Sequence, residues 1–198
     1  FSAPSTYTVT TTGANGCTSS ASIAITQDIT APGASIPAPA SSELTCSLTS
    51  IDVSATTTSG VSYSWSGGAA GATDADRTFS APSTYTVTAT GANGCTSSAS
   101  IAITQDITAP GASIPAPASS VLTCSLTSID VSATTTSGVS YSWSGGAAGA
   151  TDADRTFSAP STYTVTTTGA NGCTSSASIA ITQDITAPGA SIPAPASS

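Results

Sequence analysis

Five cysteines, at positions 17, 46, 95, 124 and 173, are the residues of this chain best suited to covalent chemistry, and their separations alternate between 29 and 49 residues. No histidine accompanies them and no Cys-X-X-Cys occurs. A zinc site is therefore not expected, and oxidation to disulfides in an exported protein is. Alternation along the flanking segments puts Cys46 and Cys95 on core-facing positions, and a first strand running parallel to the last would bring them together. The expected bonds are Cys46 with Cys95 and Cys124 with Cys173, leaving Cys17 with a partner outside these residues. The competing pairing, Cys95 with Cys124, would bolt neighbouring domains together.

The second group with chemical potential is Asp74-Ala-Asp76-Arg77, repeated as Asp152-Ala-Asp154-Arg155. Carboxylates at alternate loop positions suit calcium, which takes six to eight oxygen ligands. Two carboxylates beside a cation fall short of that, so a solvated turn is expected, and Asp52 or Asp106 would complete a site only if folding brought them near. No metal or cofactor is expected, with calcium the one alternative. Catalysis has no foothold: without His or Lys, a nucleophile lacks its base and an acid its partner. The missing Lys also excludes isopeptide crosslinks.

These groups recur because the chain repeats. Residues 1–78 return as 79–156 with two differences, Thr11 answering to Ala89 and Glu43 to Val121, and a third copy starts at Phe157. A period of 78 residues is long for a solenoid unit and sufficient for one small domain with its own core. Pro and Gly in the 105–112 stretch mark the linker. The expected organisation is the C-terminal part of a repeat at 1–31, complete repeats at 32–109 and 110–187, and the start of another at 188–198. A longer parent chain is expected to hold any targeting or anchoring segment.

The elements that must position the cysteines read as strands. Ala34–Ile36 is expected to begin an edge strand ahead of Pro37 and Pro39. Leu44, Cys46 and Leu48 share one face; Ile51, Val53 and Ala55 take over after a bulge or strand switch at Thr49-Ser50. Val61, Tyr63 and Trp65 alternate with serines, 67–72 reads as loop, and a short strand centres on Phe79. Tyr85, Val87 and Ala89 point inward while Thr84, Thr86, Thr88 and Thr90 point outward. Gly91-Ala92-Asn93-Gly94 reads as a type I′ hairpin turn, and Cys95, Ala99, Ile101 and Ile103 line the inner face of the last strand. About seven short strands, no helical period and a Cys, Trp, Cys order indicate an all-β fold of tandem immunoglobulin-like sandwiches arranged end to end, with a Greek-key barrel as the alternative. Trp65, Trp143, Tyr63 and Tyr141 are expected in the core rather than on a sugar-stacking platform, and Tyr85 and Tyr163 suit a tyrosine corner.

The run from Ser83 through Tyr-Thr-Val-Thr to Asn93-Gly-Cys-Thr, with the Cys46–Ile51 stretch and the Val61-Ser-Tyr-Ser-Trp segment, resembles the SprB-like repeats of giant cell-surface gliding-motility adhesins of Bacteroidota. The resemblance covers every repeat. It implies export by the type IX secretion system and display on the outer cell surface.

Composition points the same way. Ten acidic residues against two arginines give a formal charge of -8, which supplies nothing to neutralise phosphates and argues against nucleic-acid or anionic-lipid partners. No apolar run approaches a membrane span. The expected function is a repetitive extracellular stalk whose partners are neighbouring repeats and, through regions beyond these residues, an external surface or glycan. The alternatives are repeated weak carbohydrate-binding modules and a laterally packed sheath or surface layer. The alternating threonines also raise ice binding and O-glycosylation, although β-branched residues favour solvent-facing strand positions in any case.

Overall fold

The computed structural model describes residues 1–56, 58, 60–134, 136, 138–149 and 151–192. Most of the expected start of a further repeat, 193–198, lies outside them. By contact the chain divides into two compact units, 1–43 with 50–104, and 44–49 with 105–198. Every regular element among the described residues is a strand.

The chain opens with a hairpin of β1 (Ser5–Thr12) and β2 (Thr18–Ile25). The first complete copy follows with β3 (Glu43–Thr45), β4 (Ile51–Ser54), β5 (Ser62–Trp65), β6 (Ala69–Ala70), β7 (Asp76–Phe79), β8 (Ser83–Thr90) and β9 (Thr96–Asp106). The second repeats them as β10 (Val121–Thr123), β11 (Ile129–Ser132), β12 (Ser140–Trp143), β13 (Ala147–Ala148), β14 (Asp154–Phe157), β15 (Ser161–Thr168) and β16 (Thr174–Asp184). Each copy forms a four-stranded sheet, ordered β3-β9-β8-β5 or β10-β16-β15-β12, and a three-stranded sheet, ordered β4-β7-β6 or β11-β14-β13. Seven strands in two sheets, with the first strand parallel to the last, make an immunoglobulin-like sandwich.

Alternation explains the core. In β11 the inward Ile129 and Val131 are buried while Asp130 and Ser132 face water, and they pack with Leu122, Phe157 and Ile181. In the first copy Ala55, Tyr63, Ala75, Val87 and Ala89 cluster, with Trp65 and Ile36 against them. Phe79 is stacked on Tyr85 with ring centroids 3.9 Å apart and meets Trp65 edge-on at 5.6 Å. The second copy repeats this with Phe157, Tyr163 and Trp143. The tryptophans therefore serve the core, and their indole N–H groups are buried without an acceptor. The Tyr85 hydroxyl donates to the Ala81 carbonyl at 3.0 Å, and Tyr163 to Ala159 likewise, which is the tyrosine corner. Gly68, at φ +85°, lies under this stack: a Cβ there would sit 2.5 Å from Phe79 Cε1.

Several local expectations need correction. Ala34–Ile36 is not a strand: it is an extended segment packed on the core, fixed where the Thr56 amide donates to the Ser35 carbonyl at 2.8 Å. The 67–72 loop contains the two-residue strand β6, whose Ala69 and Ala70 pair with Thr78 and Arg77. The 91–94 turn is not type I′, because Asn93 has no positive φ and only Gly94 does, at 80°. The Gly94 amide closes on the Gly91 carbonyl at 2.9 Å, which gives a type I turn followed by a left-handed glycine. The strand switch near Thr49-Ser50 does occur, since β3 and β4 lie in different sheets, but Leu48 is exposed rather than core-facing.

Candidate functional site: a disulfide and an asparagine hairpin

The five cysteines occupy two recurring local geometries. Cys46 and Cys124 sit in tight turns that close their copy's first strand. In the first, the Thr45 amide donates to the Leu48 carbonyl at 2.8 Å and the Leu48 amide to the Thr45 hydroxyl at 3.0 Å. The second repeats both bonds between Thr123 and Leu126 at 2.9 and 3.0 Å. The turn breaks the alternation, so both cysteines face solvent instead of the core.

Cys95 and Cys173 close the long hairpins, and Cys17 closes the first hairpin in the same way. The Gly169 amide donates to the Cys173 carbonyl at 2.9 Å, and the Cys173 amide to Asn171 Oδ1 at 3.0 Å. Gly91, Asn93 and Cys95 match these distances. Gly13, Asn15 and Cys17 repeat the pattern at 2.8 and 3.2 Å.

The bond itself joins Cys46 to Cys173, with Cα atoms 5.0 Å apart and a sequence separation of 127. Cys17, Cys95 and Cys124 are free thiols. This corrects the expected pairs Cys46 with Cys95 and Cys124 with Cys173, and their alternative, Cys95 with Cys124. Register is the physical reason. The first strand does run parallel to the last, but it pairs with that strand's far end: Val121 faces Thr182 and Thr123 faces Asp184. Cys124 thus lies beyond the C-terminal end of the eleven-residue β16, while Cys173 precedes its first residue. At about 3.3 Å per residue the two are separated by roughly 35 Å, far beyond the reach of a disulfide.

The segment 44–49 belongs to the second compact unit, and polar contacts surround the bond there. The Ser47 amide donates to the Asn171 carbonyl at 3.3 Å and its hydroxyl at 3.4 Å. The Asn171 side-chain amide donates to the Thr108 carbonyl at 2.9 Å. Thr108 closes an Asx turn, its amide donating to Asp106 Oδ1 at 3.0 Å, and that bond, foremost, holds the Asp106 carboxyl below its ordinary range. The Asn-Gly signal thus had a second role that the sequence reading missed: Asn171 caps its own hairpin with one side-chain atom and holds the linker with the other. Asn93 does the same to Thr30 at 3.0 Å. The signal available in sequence was the fixed interval from Thr30 to Asn93 and from Thr108 to Asn171, together with the Asp-X-Thr before each Pro.

The acidic motif has a local role. Asp76 Oδ2 accepts from the Thr73 amide at 3.0 Å and its hydroxyl at 2.8 Å, while Oδ1 accepts from the Ser54 hydroxyl. Ser54 and then Thr73 lower the Asp76 carboxyl, and Ser132 and Thr151 do the same to Asp154. Asp74 Oδ2 accepts from the Tyr63 amide at 3.0 Å, and Arg77 Nη1 donates to the Asp76 carbonyl at 2.7 Å. In the second copy Arg155 Nη1 donates to the Asp154 carbonyl at 2.7 Å and to the Asp152 carbonyl at 3.5 Å. No group of three His, Cys, Asp or Glu suited to a metal occurs among the described residues. Asp52 instead accepts from the Thr78 hydroxyl at 2.6 Å, and Asp106 is engaged in the linker turn. A shallow groove on the outer sheet face runs over Asp52, Ser54, Asp76, Arg77 and Thr78, and recurs in the second copy.

No family model matches this chain, and no curated protein matches its sequence. Among solved structures it is similar to the crystal structure of murine CEACAM1b, at 10% identity and a TM-score of 0.35, over 73% of this chain and 94% of that one. A likeness of that size carries no argument, and the immunoglobulin-like description rests on the strand order and the tyrosine corners. No helix of the described residues is long and apolar enough to cross a membrane.

Proposed function

We propose that this chain is part of the structural stalk of a repetitive cell-surface adhesin, acting mechanically and without catalysis. The observation that carries this reading is the Cys46–Cys173 bond: it ties a cysteine of one nearly identical copy to a cysteine of the next. A crosslink between copies has little to offer an independent enzyme and much to offer a polymer under tension. It removes 127 residues from the covalent path between the chain ends, and in the chain-entropy model such a loop stabilises the fold by about 5 kcal/mol. Few charges and hydroxyl-rich strands leave a sparsely charged exterior suited to a stalk outside the cell. The resemblance to gliding-motility adhesin repeats supports outer-surface display and type IX export, with adhesion to surfaces or glycans assigned to other parts of the parent chain.

Stretching the chain by its ends tests the reading. The oxidised chain should resist extension of the 46–173 stretch, and reductant should release about 440 Å at roughly 3.5 Å per residue. Full extension without reductant would sink the proposal.

A second reading, repeated weak carbohydrate binding, is favoured by the groove over Asp52, Asp76 and Arg77, which recurs with Asp130, Asp154 and Arg155. Hydroxyl-bearing ligands suit such paired donors and acceptors, and avidity would grow with copy number. Saturable binding on a glycan array that is lost in the Arg77→Ala, Arg155→Ala double variant would favour it over the stalk.

A further inference from the structure

The bonded pair and the free thiols differ in partner and not in local structure. Cys124 occupies the same turn as Cys46, closed by the same two hydrogen bonds. Cys95 and Cys17 occupy the same hairpin as Cys173, with the same asparagine cap. Within one copy the two kinds of cysteine stand at opposite ends of the sandwich, because the first strand pairs with the far end of the last. No thiol can therefore be consumed inside its own copy. From these observations we infer that Cys124 and Cys95 are sites of disulfide modification, each for a cysteine of the other kind in an adjacent copy. Cys124 is the acceptor for the hairpin cysteine of a copy that follows, and Cys95 and Cys17 for the turn cysteine of a copy that precedes.

Each bond forms from two thiols, which lose two protons and two electrons as the sulfurs join. The electrons pass to the disulfide of a small-molecule or protein dithiol oxidant, which leaves as two thiols. The alternating separations of 29 and 49 residues then acquire a mechanical meaning. A covalent path enters at a hairpin cysteine such as Cys17, follows the chain for 29 residues to Cys46, and crosses the bond to Cys173. The path through Cys95 and Cys124 is the same step displaced by one copy. In a fully bonded array two such paths interleave. Each traverses two copies through 29 residues rather than 156, so the limit of extension falls about fivefold, from roughly 530 to roughly 100 Å per two copies. This pairing does not depend on the stalk reading, and a repeat protein of any function could carry it.

The test lengthens the chain by one further 78-residue copy, the sequence of 110–187 placed after Ala187. The protein is refolded with oxidised glutathione, alkylated and mapped by mass spectrometry without reduction. The expected result is two crosslinked peptides, Cys46 with Cys173 and Cys124 with the hairpin cysteine of the added copy, with Cys17, Cys95 and the turn cysteine of the added copy alkylated. In the Cys124→Ser version only the second crosslink should vanish. An alkylated or glutathionylated Cys124, or a Cys124–Cys173 or Cys95–Cys124 crosslink, would overturn the proposal. Because the assay reads only bonds, its failure would leave the stalk reading to be judged by stretching.

Discussion

The side chain of Asn171 donates to the carbonyl of Thr108 at 2.9 Å, across 63 residues of sequence. The same residue accepts from the Cys173 amide through Oδ1 and from Ser47 through its backbone carbonyl. One asparagine thus shapes the hairpin, holds the linker and orients the turn that carries Cys46. Replacing Asn171 by Ala removes the first two bonds and should cost about 1 to 3 kcal/mol. Asn171→Asp keeps the cap and turns the linker donor into an acceptor facing a carbonyl. Denaturant unfolding should place both variants below the parent, and amide exchange at Cys173 should accelerate in the alanine variant and not in the aspartate variant.

Removing Cys46 tests whether the free thiols can substitute. In Cys46→Ser, Cys173 should remain a thiol under the same oxidant, because Cys124 stands roughly 35 Å away at the other end of the sandwich. Thiol counting should give four where the parent gives three, and melting should occur at lower temperature, with about 5 kcal/mol as the upper bound on the loss. A count of two thiols with a Cys124–Cys173 crosslink would contradict the register seen between β10 and β16.

The two hairpin glycines provide a matched comparison. Gly94 and Gly172 have φ of 80° and 76°, so alanine strains either by about 1 to 2 kcal/mol. A Cβ on Gly94 meets nothing within 4 Å, whereas on Gly172 it would lie 2.7 Å from Ser47 Cβ and 3.1 Å from the Ser47 amide nitrogen. Gly172→Ala should therefore be the more destabilising and should slow formation of the Cys46–Cys173 bond, as followed by timed alkylation. Equal effects of the two substitutions would contradict the close approach.

Acid should loosen the sandwiches through a small set of carboxylates. Asp76, Asp154 and Asp106 have folded-state values depressed below the ordinary 3.8 by hydroxyl and amide donors. A depressed carboxyl contributes stability that is present above the unfolded value. That stability is lost as pH falls from near 4 through the folded value. Stability should be flat from neutral pH down to about 5 and should decline below 4. The Asp76→Asn, Asp154→Asn double variant should be less stable at pH 7 and should decline less between pH 4 and 2. An unchanged acid slope in urea unfolding series would show that these hydrogen bonds do not govern it.

Much of the architecture was legible because strand alternation is a local property. Ile51, Val53 and Ala55 read as inward from their spacing and are only 4%, 4% and 3% exposed, and Tyr85 reads as a corner tyrosine from its place at the start of β8. What escaped depends on register and turns. A parallel first and last strand could be inferred, but nothing in the run Leu44-Thr-Cys46 says that it pairs with the end of β9 rather than its beginning, and that offset decides every cysteine partner. The turn from Thr45 to Leu48 is held by a threonine hydroxyl that reads equally well as a strand residue. Asn93 and Asn171 announced a turn, while their hold on Thr30 and Thr108 could appear only in three dimensions. The acidic motif was legible as a turn, with Thr73 and Ser54 as its unforeseen donors.

Copy-to-copy bonding is most directly tested on the intact chain by peptide mapping under non-reducing conditions after thiol alkylation. The account predicts one crosslinked peptide joining Cys46 to Cys173, with Cys17, Cys95 and Cys124 alkylated. Crosslinks of Cys46 to Cys95 and of Cys124 to Cys173 would mean that each copy closes on itself, and would contradict it.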